Sequence, residues 1–147
     1  MTNDLATSHE ATASEQHHPP GITDRMLVYR AMDACSGSPC VGDMHLGVRV
    51  PQDIQPDGAG FVEPGLGGMS VTPNDPWDLP RHRRPPSLYG TGKRPVWEYS
   101  IAHLPSSLVL RLESVTHGLV EPGARMGITV YRSSLGSTAP DWRKIHE

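Results

Sequence analysis

The stretch PVWEYSIAHLPSSLVLRLESVTHGLVEP, residues 95–122, decides the fold class of this chain of 147 residues. In its first run, PVWEYSIAHL, side chains alternate between two faces with the period of two that is typical of a β-strand. Two further runs, SLVLRLESV and HGLVEP, follow after short breaks and are also typical of strands. Runs this close in sequence favour antiparallel neighbours, so we expect a mainly antiparallel sheet.

Outside this stretch, the chain predicts shorter elements separated by turns. DRMLVYRAMD (24–33) alternates like a strand, and GMSVT (68–72) predicts a brief one. Five prolines between residues 73 and 86 exclude regular structure, so residues 73–95 should form a long ordered or semi-ordered loop anchored by apolar side chains. RMGITVYRSSLGSTAPDWRKI (125–145) fits either a strand or a helix, and we favour a short helix. The fold class is therefore α+β.

The length of the chain predicts one domain. Residues 1–22 contain few large apolar side chains and include Pro19-Pro20, which predicts a disordered tail before a single domain at 23–147. Glycine and proline contribute 15 residues each, which favours many loops.

Charge and hydropathy exclude several classes of protein. The net charge of −3 argues against a protein that mainly grips nucleic-acid phosphates. The chain has no apolar run long enough to span a membrane and no signal peptide at its N-terminus. We therefore expect a cytoplasmic protein, in which Cys35 and Cys40 of CSGSPC should be free thiols because a cytosol keeps thiols reduced.

Arg30 is the most unusual residue of the first predicted strand. The alternation places its charge on the same face as Met26 and Val28. A guanidinium there should pair either with a carboxylate of the protein or with a phosphate of a ligand. The strand pattern leaves these two alternatives open.

The stretch GLGGMSVTP, residues 65–73, is the second candidate for a functional site. Gly67 and Gly68 would let a ligand or another backbone come close to Ser70. The stretch matches neither the Gly-x-Ser-x-Gly motif of hydrolases nor a phosphate-binding loop. A turn or bulge is the simple alternative.

Three other groups carry potential chemistry. His117 and Glu121 lie four residues apart, so in a strand they would share a face without touching. Arg81-His82-Arg83-Arg84 is a basic run that is either a solvated loop or an anion-binding one. Eight scattered histidines show no metal-binding spacing, and we expect no metal.

The order of these segments resembles a known family. VYRA (28–31), PDG (56–58), GGMSV (67–71) and THGLVEPGARM (116–126) are similar to the family typified by the second exported effector of a bacterial type VI secretion system. That family is regarded as ADP-ribosyltransferase-like toxins. The resemblance covers about residues 26–143.

The resemblance implies an ADP-ribosyltransferase-like fold, in which two small, packed, mainly antiparallel sheets hold NAD in the cleft between them. Arg30 would contact NAD, while Gly67, Gly68, Met69 and Ser70 would frame the nicotinamide. Ser70, His117 and Glu121 would be the candidate catalytic residues.

The same resemblance implies what the protein acts on and with. It would transfer ADP-ribose to an intracellular macromolecule or hydrolyse NAD. An immunity or antitoxin protein would neutralise it, and a secretion system could deliver it into a recipient cell. The alternatives are a toxin that acts on nucleic acid through Arg81–Arg84, or a non-enzymatic binding module.

Overall fold

The computed structural model describes residues 18–147. Of the predicted disordered tail, residues 1–17 lie outside this range. Ile22 is only 6 % exposed and belongs to the apolar core. The sequence predicts that the domain begins at residue 23, but the burial of Ile22 shows that the folded part begins before it.

Within the described residues, the chain forms ten β-strands, one α-helix and five short 3-10 helices. The strands are β1 Leu27–Ala31, β2 Ala34–Cys35, β3 Ser38–Pro39, β4 Phe61–Val62, β5 Met69–Pro73, β6 Val96–Ser100, β7 Leu108–Leu112, β8 Gly118–Pro122, β9 Met126–Gly127 and β10 Arg143–His146. The helix α1 is Ile128–Gly136, and the 3-10 helices are Pro76–Asp78, Arg81–Arg83, Pro86–Leu88, Ile101–His103 and Ala139–Asp141.

Six of the strands form one sheet in the order β10-β6-β1-β5-β8-β7, and all its neighbours are antiparallel. The other four strands form two ribbons, β2 with β3 and β4 with β9. The three strands predicted in residues 95–122 are present, although only β7 and β8 are neighbours. The predicted α+β class with mainly antiparallel strands is confirmed, and so is the short helix.

Strand β5 joins the two halves of the sheet through different residues. Its last two residues, Thr72 and Pro73, pair with β1, whereas residues 69–71 pair with β8. Strand β1 continues to Arg30 and Ala31, but these two residues pair only with β6. The sheet therefore divides into β10-β6-β1 and β5-β8-β7, and the halves separate beside Arg30.

Helix α1 packs on one face of this sheet. Tyr131 and Leu135, one turn apart, are buried in the same core cluster as Val28 of β1 and Met69 of β5. The Tyr131 hydroxyl donates to the carbonyl of Val120 and accepts from the Met69 N–H at 3.2 Å. The helix is therefore fixed across the junction of β5 and β8.

Residues 74–95, which we call the proline arm, lie against the sheet beside β1. Leu79 and Leu88 are buried in a second apolar cluster with Tyr29 of β1 and Val96 of β6. Arg84 fastens the arm internally, since its Nε donates to the Leu79 carbonyl at 3.1 Å and its Nη1 to the Leu88 carbonyl at 2.9 Å. The predicted ordered loop is thus confirmed, with short 3-10 turns in place of longer regular elements.

The predicted free thiols are wrong, because Cys35 and Cys40 form a disulfide. The two cysteines lie on and just after the β2–β3 ribbon, which pairs Cys35 with Ser38 and brings the chain back on itself. The redox compartment alone does not determine the state of these cysteines, because the ribbon holds them close together. Within the described part of the chain, no helix is long and apolar enough to cross a membrane.

Candidate functional site

Arg30 lies where the two halves of the sheet separate. Its Nη1 donates to the Ser70 carbonyl at 2.7 Å, and its Nε donates to the His45 carbonyl at 2.6 Å. The guanidinium therefore bridges β1 to β5 at the point where their backbone pairing has ended. The hydrogen bond from Arg30 Nη1 to Ser70 takes the place of the backbone pairing that is absent between β1 and β5 at this position.

No carboxylate of residues 18–147 lies within ion-pair distance of Arg30. Both of its hydrogen bonds go to neutral carbonyls, and they use only two of the five guanidinium N–H donors. Burial and then the positive charge of Arg83 lower the pKa of Arg30 to about 10. The side chain is still a cation at neutral pH, so the site carries positive charge that an anionic ligand would neutralise.

Ser70 and His117 are in contact. Alternation along β5 turns Met69 and Val71 into the core and Ser70 to the opposite face. His117 lies immediately before β8, and its Nε2 is 3.2 Å from the Ser70 Oγ. The Nδ1 of His117 is 2.7 Å from the Oε1 of Glu113, across the β7–β8 hairpin.

The glycines before Ser70 approach the backbone of the protein itself. Gly67 has φ +119, and a Cβ there would lie 2.2 Å from the carbonyl oxygen of Asp53. The Gly68 N–H donates to that same carbonyl at 2.9 Å, and a Cβ on Gly68 would lie 2.6 Å from the Val120 carbonyl oxygen. Their small size is thus required for packing of the Asp53 loop and β8 against β5.

The structure does not bring every predicted site residue to the cleft. Met69 is 2 % exposed in the core, and Glu121 is 2 % exposed. The Glu121 carboxylate accepts from the Arg111 Nε at 2.8 Å, and the other side of Arg111 reaches Glu113 at 3.6 Å. Glu121 is therefore linked to His117 only through Arg111 and Glu113.

A cleft with two lobes contains the remaining candidates. The first lobe, of about 240 Å³, is lined by Arg30, Ser70 and His117 among others. The second lobe, of about 290 Å³, extends along the proline arm to Lys93 and Arg94. The two lobes lie side by side, because four residues line both of them: Ala31, Met44, His82 and Arg83.

The cleft also contains carboxylates. Asp43 and Asp53 line the first lobe, and Asp53 receives two bonds from the Arg49 side chain, at 3.0 and 3.1 Å. Burial alone would raise the pKa of Asp53, but the hydrogen bonds from Arg49 lower it below its usual value. Within the described residues, no group of three or more His, Cys, Asp and Glu side chains is arranged to hold a metal ion.

The basic run of the proline arm divides between two roles. Arg83 lines both lobes of the cleft. Arg84 is occupied by the carbonyls of its own arm and lies 5.9 Å from the centroid of the Trp77 ring. Arg81 is exposed, and it does not line either lobe.

Sequence reasoning missed Glu113, Lys93 and Arg94. A signal existed for Glu113, because it lies four residues before His117 in a predicted hairpin. Lys93 and Arg94 are separated from Arg83 by an irregular segment, and only its folding brings them to one cleft. No protein-family model, curated protein or solved structure was found that matches this chain.

Proposed function

We propose that the protein binds NAD in the two-lobed cleft and transfers ADP-ribose to an intracellular macromolecule or to water. One observation carries this proposal: Arg30, Ser70 and His117, from three separate segments of the family resemblance, line the same lobe. The four other predicted site residues do not line it: Met69 and Glu121 are buried elsewhere, and Gly67 and Gly68 pack against the backbone of the protein itself. The proposed site therefore contains fewer residues than the resemblance implies.

The shape and charge of the cleft fit a dinucleotide. Two lobes of similar volume meet beside Arg83, and a dinucleotide has two nucleoside halves joined by a pyrophosphate. Arg30 forms no ion pair with a carboxylate of residues 18–147, although the charge of Asp53 acts on it, and Lys93 and Arg94 extend the basic surface into the second lobe. Arginine binds phosphate oxygens bidentately, so these cations suit the pyrophosphate.

The divided sheet supports an ADP-ribosyltransferase-like arrangement. The halves β10-β6-β1 and β5-β8-β7 remain joined only at Thr72 and Pro73, and Arg30 bridges the gap beyond that point. The resemblance implies two small sheets with NAD between them, and the first lobe opens at this separation. We propose that this is the nicotinamide side of the site, because Ser70 and His117 lie there.

Each group in the first lobe has a chemical role in this reaction. NAD supplies a glycosidic bond whose leaving group, nicotinamide, departs as a neutral molecule with the bonding electrons. The acceptor oxygen or nitrogen forms a bond to the same ribose carbon and gives its proton to Nε2 of His117. Asp43 and Asp53 are the carboxylates that line the lobe, and their charge favours the cationic character of the ribose.

The biological role that we propose is that of a toxin. Depletion of NAD or modification of an essential macromolecule would arrest growth, and a cognate immunity or antitoxin protein would protect the producing cell. Delivery by a secretion system belongs to the same proposal. Induction of the wild-type gene in a bacterium should stop growth, while the Arg30→Ala and Ser70→Ala variants should not.

Turnover of NAD by purified protein tests the chemistry directly. Free nicotinamide and free ADP-ribose should be measured separately, because hydrolysis yields both in equal amounts whereas transfer leaves ADP-ribose on the acceptor. Arg25→Ala is a matched control, since Arg25 is exposed and lies outside the cleft. A folded wild-type protein that neither binds nor consumes NAD would contradict the proposal.

A second candidate function has one observation in its favour. Trp77 and Tyr89 of the proline arm are 47 % and 80 % exposed, and their ring centroids lie 5.5 Å apart beside the basic run. Exposed aromatic rings next to arginines suit the stacking of nucleic-acid bases. Binding of single-stranded RNA that weakens with salt and with Trp77→Ala or Tyr89→Ala would favour a nucleic-acid target over a non-enzymatic binding module.

A further inference from the structure

Three polar side chains form a continuous chain from solvent to the first lobe. The Glu113 carboxylate lies 2.7 Å from His117 Nδ1, and His117 Nε2 lies 3.2 Å from Ser70 Oγ. Glu113 and His117 are 40 % and 43 % exposed, and Ser70 lines the lobe. This is the order of contacts that activates a serine hydroxyl in many unrelated folds.

The network also determines which nitrogen of His117 is free to act as a base. An ionised carboxylate only accepts hydrogen bonds, so the proton of a neutral imidazole resides on Nδ1 and points to Glu113. The lone pair is then on Nε2, which faces the Ser70 hydroxyl. His117 is thereby oriented to accept the Ser70 proton.

Arg30 supplies positive charge next to this hydroxyl. Its Nη1 is held 2.7 Å from the carbonyl of Ser70 itself, and its other bond goes to the His45 carbonyl. Because neither acceptor is charged, the guanidinium can still stabilise an oxyanion that develops on a group attacked by Ser70.

We propose that Ser70 is a catalytic nucleophile that attacks esters carrying negative charge, with His117 as its base and Glu113 as the residue that positions His117. The Ser70 Oγ bonds to the acyl carbon while its proton passes to His117 Nε2. The ester C–O bond then breaks, and the alcohol leaves with that proton. Water adds to the acyl carbon and gives a proton to His117, and the Ser70 Oγ leaves and regains it.

This activity goes beyond NAD chemistry and does not require it. The chain has no Gly-x-Ser-x-Gly motif, but triads are defined by their geometry and not by their position in sequence. The preference for an anionic ester follows from Arg30 and Arg83, which both line the lobe.

A fluorophosphonate probe tests the nucleophile. Its reaction forms an Oγ–P bond at Ser70, releases fluoride and transfers the serine proton to His117. Peptide mapping should find the label on Ser70 of the wild type and none at this site in Ser70→Ala. The His117→Ala variant should label about 10²- to 10⁴-fold more slowly, the usual effect of losing a general base.

Ser107→Ala is the matched control, because the Ser107 hydroxyl contacts another hydroxyl, that of Ser134 at 3.1 Å, and no histidine. It should label Ser70 at the wild-type rate. Circular dichroism should verify that every variant is folded. Absence of label on Ser70 in folded wild type, or equal rates for wild type and His117→Ala, would overturn the proposal.

The positioning role of Glu113 has its own readout. The groups facing His117 are Glu113, Arg111 beyond it, Ser70 of β5 and Arg30 beyond the Ser70 carbonyl. Glu113→Ala should slow the labelling of Ser70, because Nε2 of His117 is no longer held towards the Ser70 hydroxyl, whereas Glu113→Gln, whose amide oxygen can still accept from Nδ1, should restore part of the rate. Equal rates for Glu113→Ala, Glu113→Gln and wild type would show that Glu113 does not position His117 as proposed.

The rates of ester hydrolysis test the preference for an anionic ester independently of the NAD proposal. After subtraction of the spontaneous hydrolysis of each ester, wild type should hydrolyse 4-nitrophenyl hemisuccinate faster than neutral 4-nitrophenyl acetate, and Arg30→Gln should lose this preference. Equal rates on the two esters in the wild type would contradict the anionic substrate class.

The labelling and NAD experiments also distinguish the two proposals. Label on Ser70 with no NAD turnover would refute the NAD proposal alone. NAD turnover without label on Ser70 would refute only the proposal that Ser70 is a nucleophile.

Discussion

At the scale of single residues, the pairing of Arg30 has the most consequences. The strand pattern left two partners open for its charge, a carboxylate of the protein or a phosphate of a ligand. Within residues 18–147 the guanidinium donates hydrogen bonds only to the carbonyls of His45 and Ser70. The charge of Asp53 acts on Arg30 from the same lobe without forming an ion pair with it, so three guanidinium N–H donors remain available to an anion in the cleft.

If Arg30 binds NAD as proposed, its protonation sets a pH limit for that binding. Its pKa is lowered to about 10 by burial and by Arg83, so the side chain is charged below that pH and loses its charge above it. The affinity for NAD should be constant from pH 7 to 9 and fall as the pH passes about 10. Calorimetric titration measures this, and the weaker binding of Arg30→Gln should lack the fall. An affinity of wild type that stays constant to pH 11 would contradict the role of Arg30.

Glu121 is also a predicted site residue, but unlike Arg30 it has a charged partner within the protein, because its carboxylate accepts from Arg111. Glu121→Gln should lower the free energy of unfolding by about 1–3 kcal/mol, because a buried, charge-assisted bond from Arg111 is weakened. NAD turnover by the folded protein should be retained. Urea unfolding and turnover should be compared with Glu63→Gln, whose exposed carboxylate lies 3.4 Å from Arg125 and should matter little. Loss of turnover at full stability would return Glu121 to the catalytic residues.

At the scale of elements, the sequence predicted strands better than it predicted their partners. Alternation located β1, β5, β6, β7 and β8, and the spacing of buried side chains indicated α1. Strand β10 was missed because its edge position leaves Arg143 and Lys144 exposed, so no apolar alternation marks it. The division of β5 between β1 and β8 is a matter of register, which depends on contacts across the sheet and cannot be read from one strand.

The close approach of the Asp53 loop to β5 predicts a severe effect at Gly67. Gly67→Ala would combine a left-handed φ of +119 with a Cβ 2.2 Å from the Asp53 carbonyl oxygen. We expect a loss of at least about 2 kcal/mol in stability, since such strain costs about 1–3 kcal/mol before any overlap is counted. Gly58→Ala is the control, because a Cβ there meets nothing within 4 Å. Equal thermal unfolding of the two variants would contradict the packing role.

At the scale of the whole molecule, an acidic protein contains a locally basic cleft. The net charge of the chain is −3, yet the proline arm carries five Lys and Arg residues and only two Asp residues. The net charge argues against a protein that mainly grips nucleic-acid phosphates, but it averages over the surface and does not reveal a local basic cluster. The clustering of Arg30, Ser70 and His117 was suggested by resemblance, and periodicity could not have supplied it, because the three lie on segments far apart in sequence.

If NAD binds across the two lobes as proposed, each half of the dinucleotide should depend on different residues. If the nicotinamide half lies beside Ser70 and His117, the adenosine half lies in the lobe lined by Lys93 and Arg94. Replacing Lys93 and Arg94 together by alanine should weaken NAD binding about 10-fold or more, equivalent to about 1.4 kcal/mol. Binding of nicotinamide mononucleotide, which lacks the adenosine half, should be unchanged.

Titration of both ligands against the same variant measures this difference. Lys144→Ala serves as the control, because Lys144 lies on the edge strand β10 and lines neither lobe. Equal weakening for NAD and for the mononucleotide would contradict this orientation, since a change confined to the second lobe cannot act on a ligand that never enters it. Selective weakening of NAD would instead fix the orientation of the dinucleotide, with its reactive bond at Ser70 and its adenosine along the proline arm.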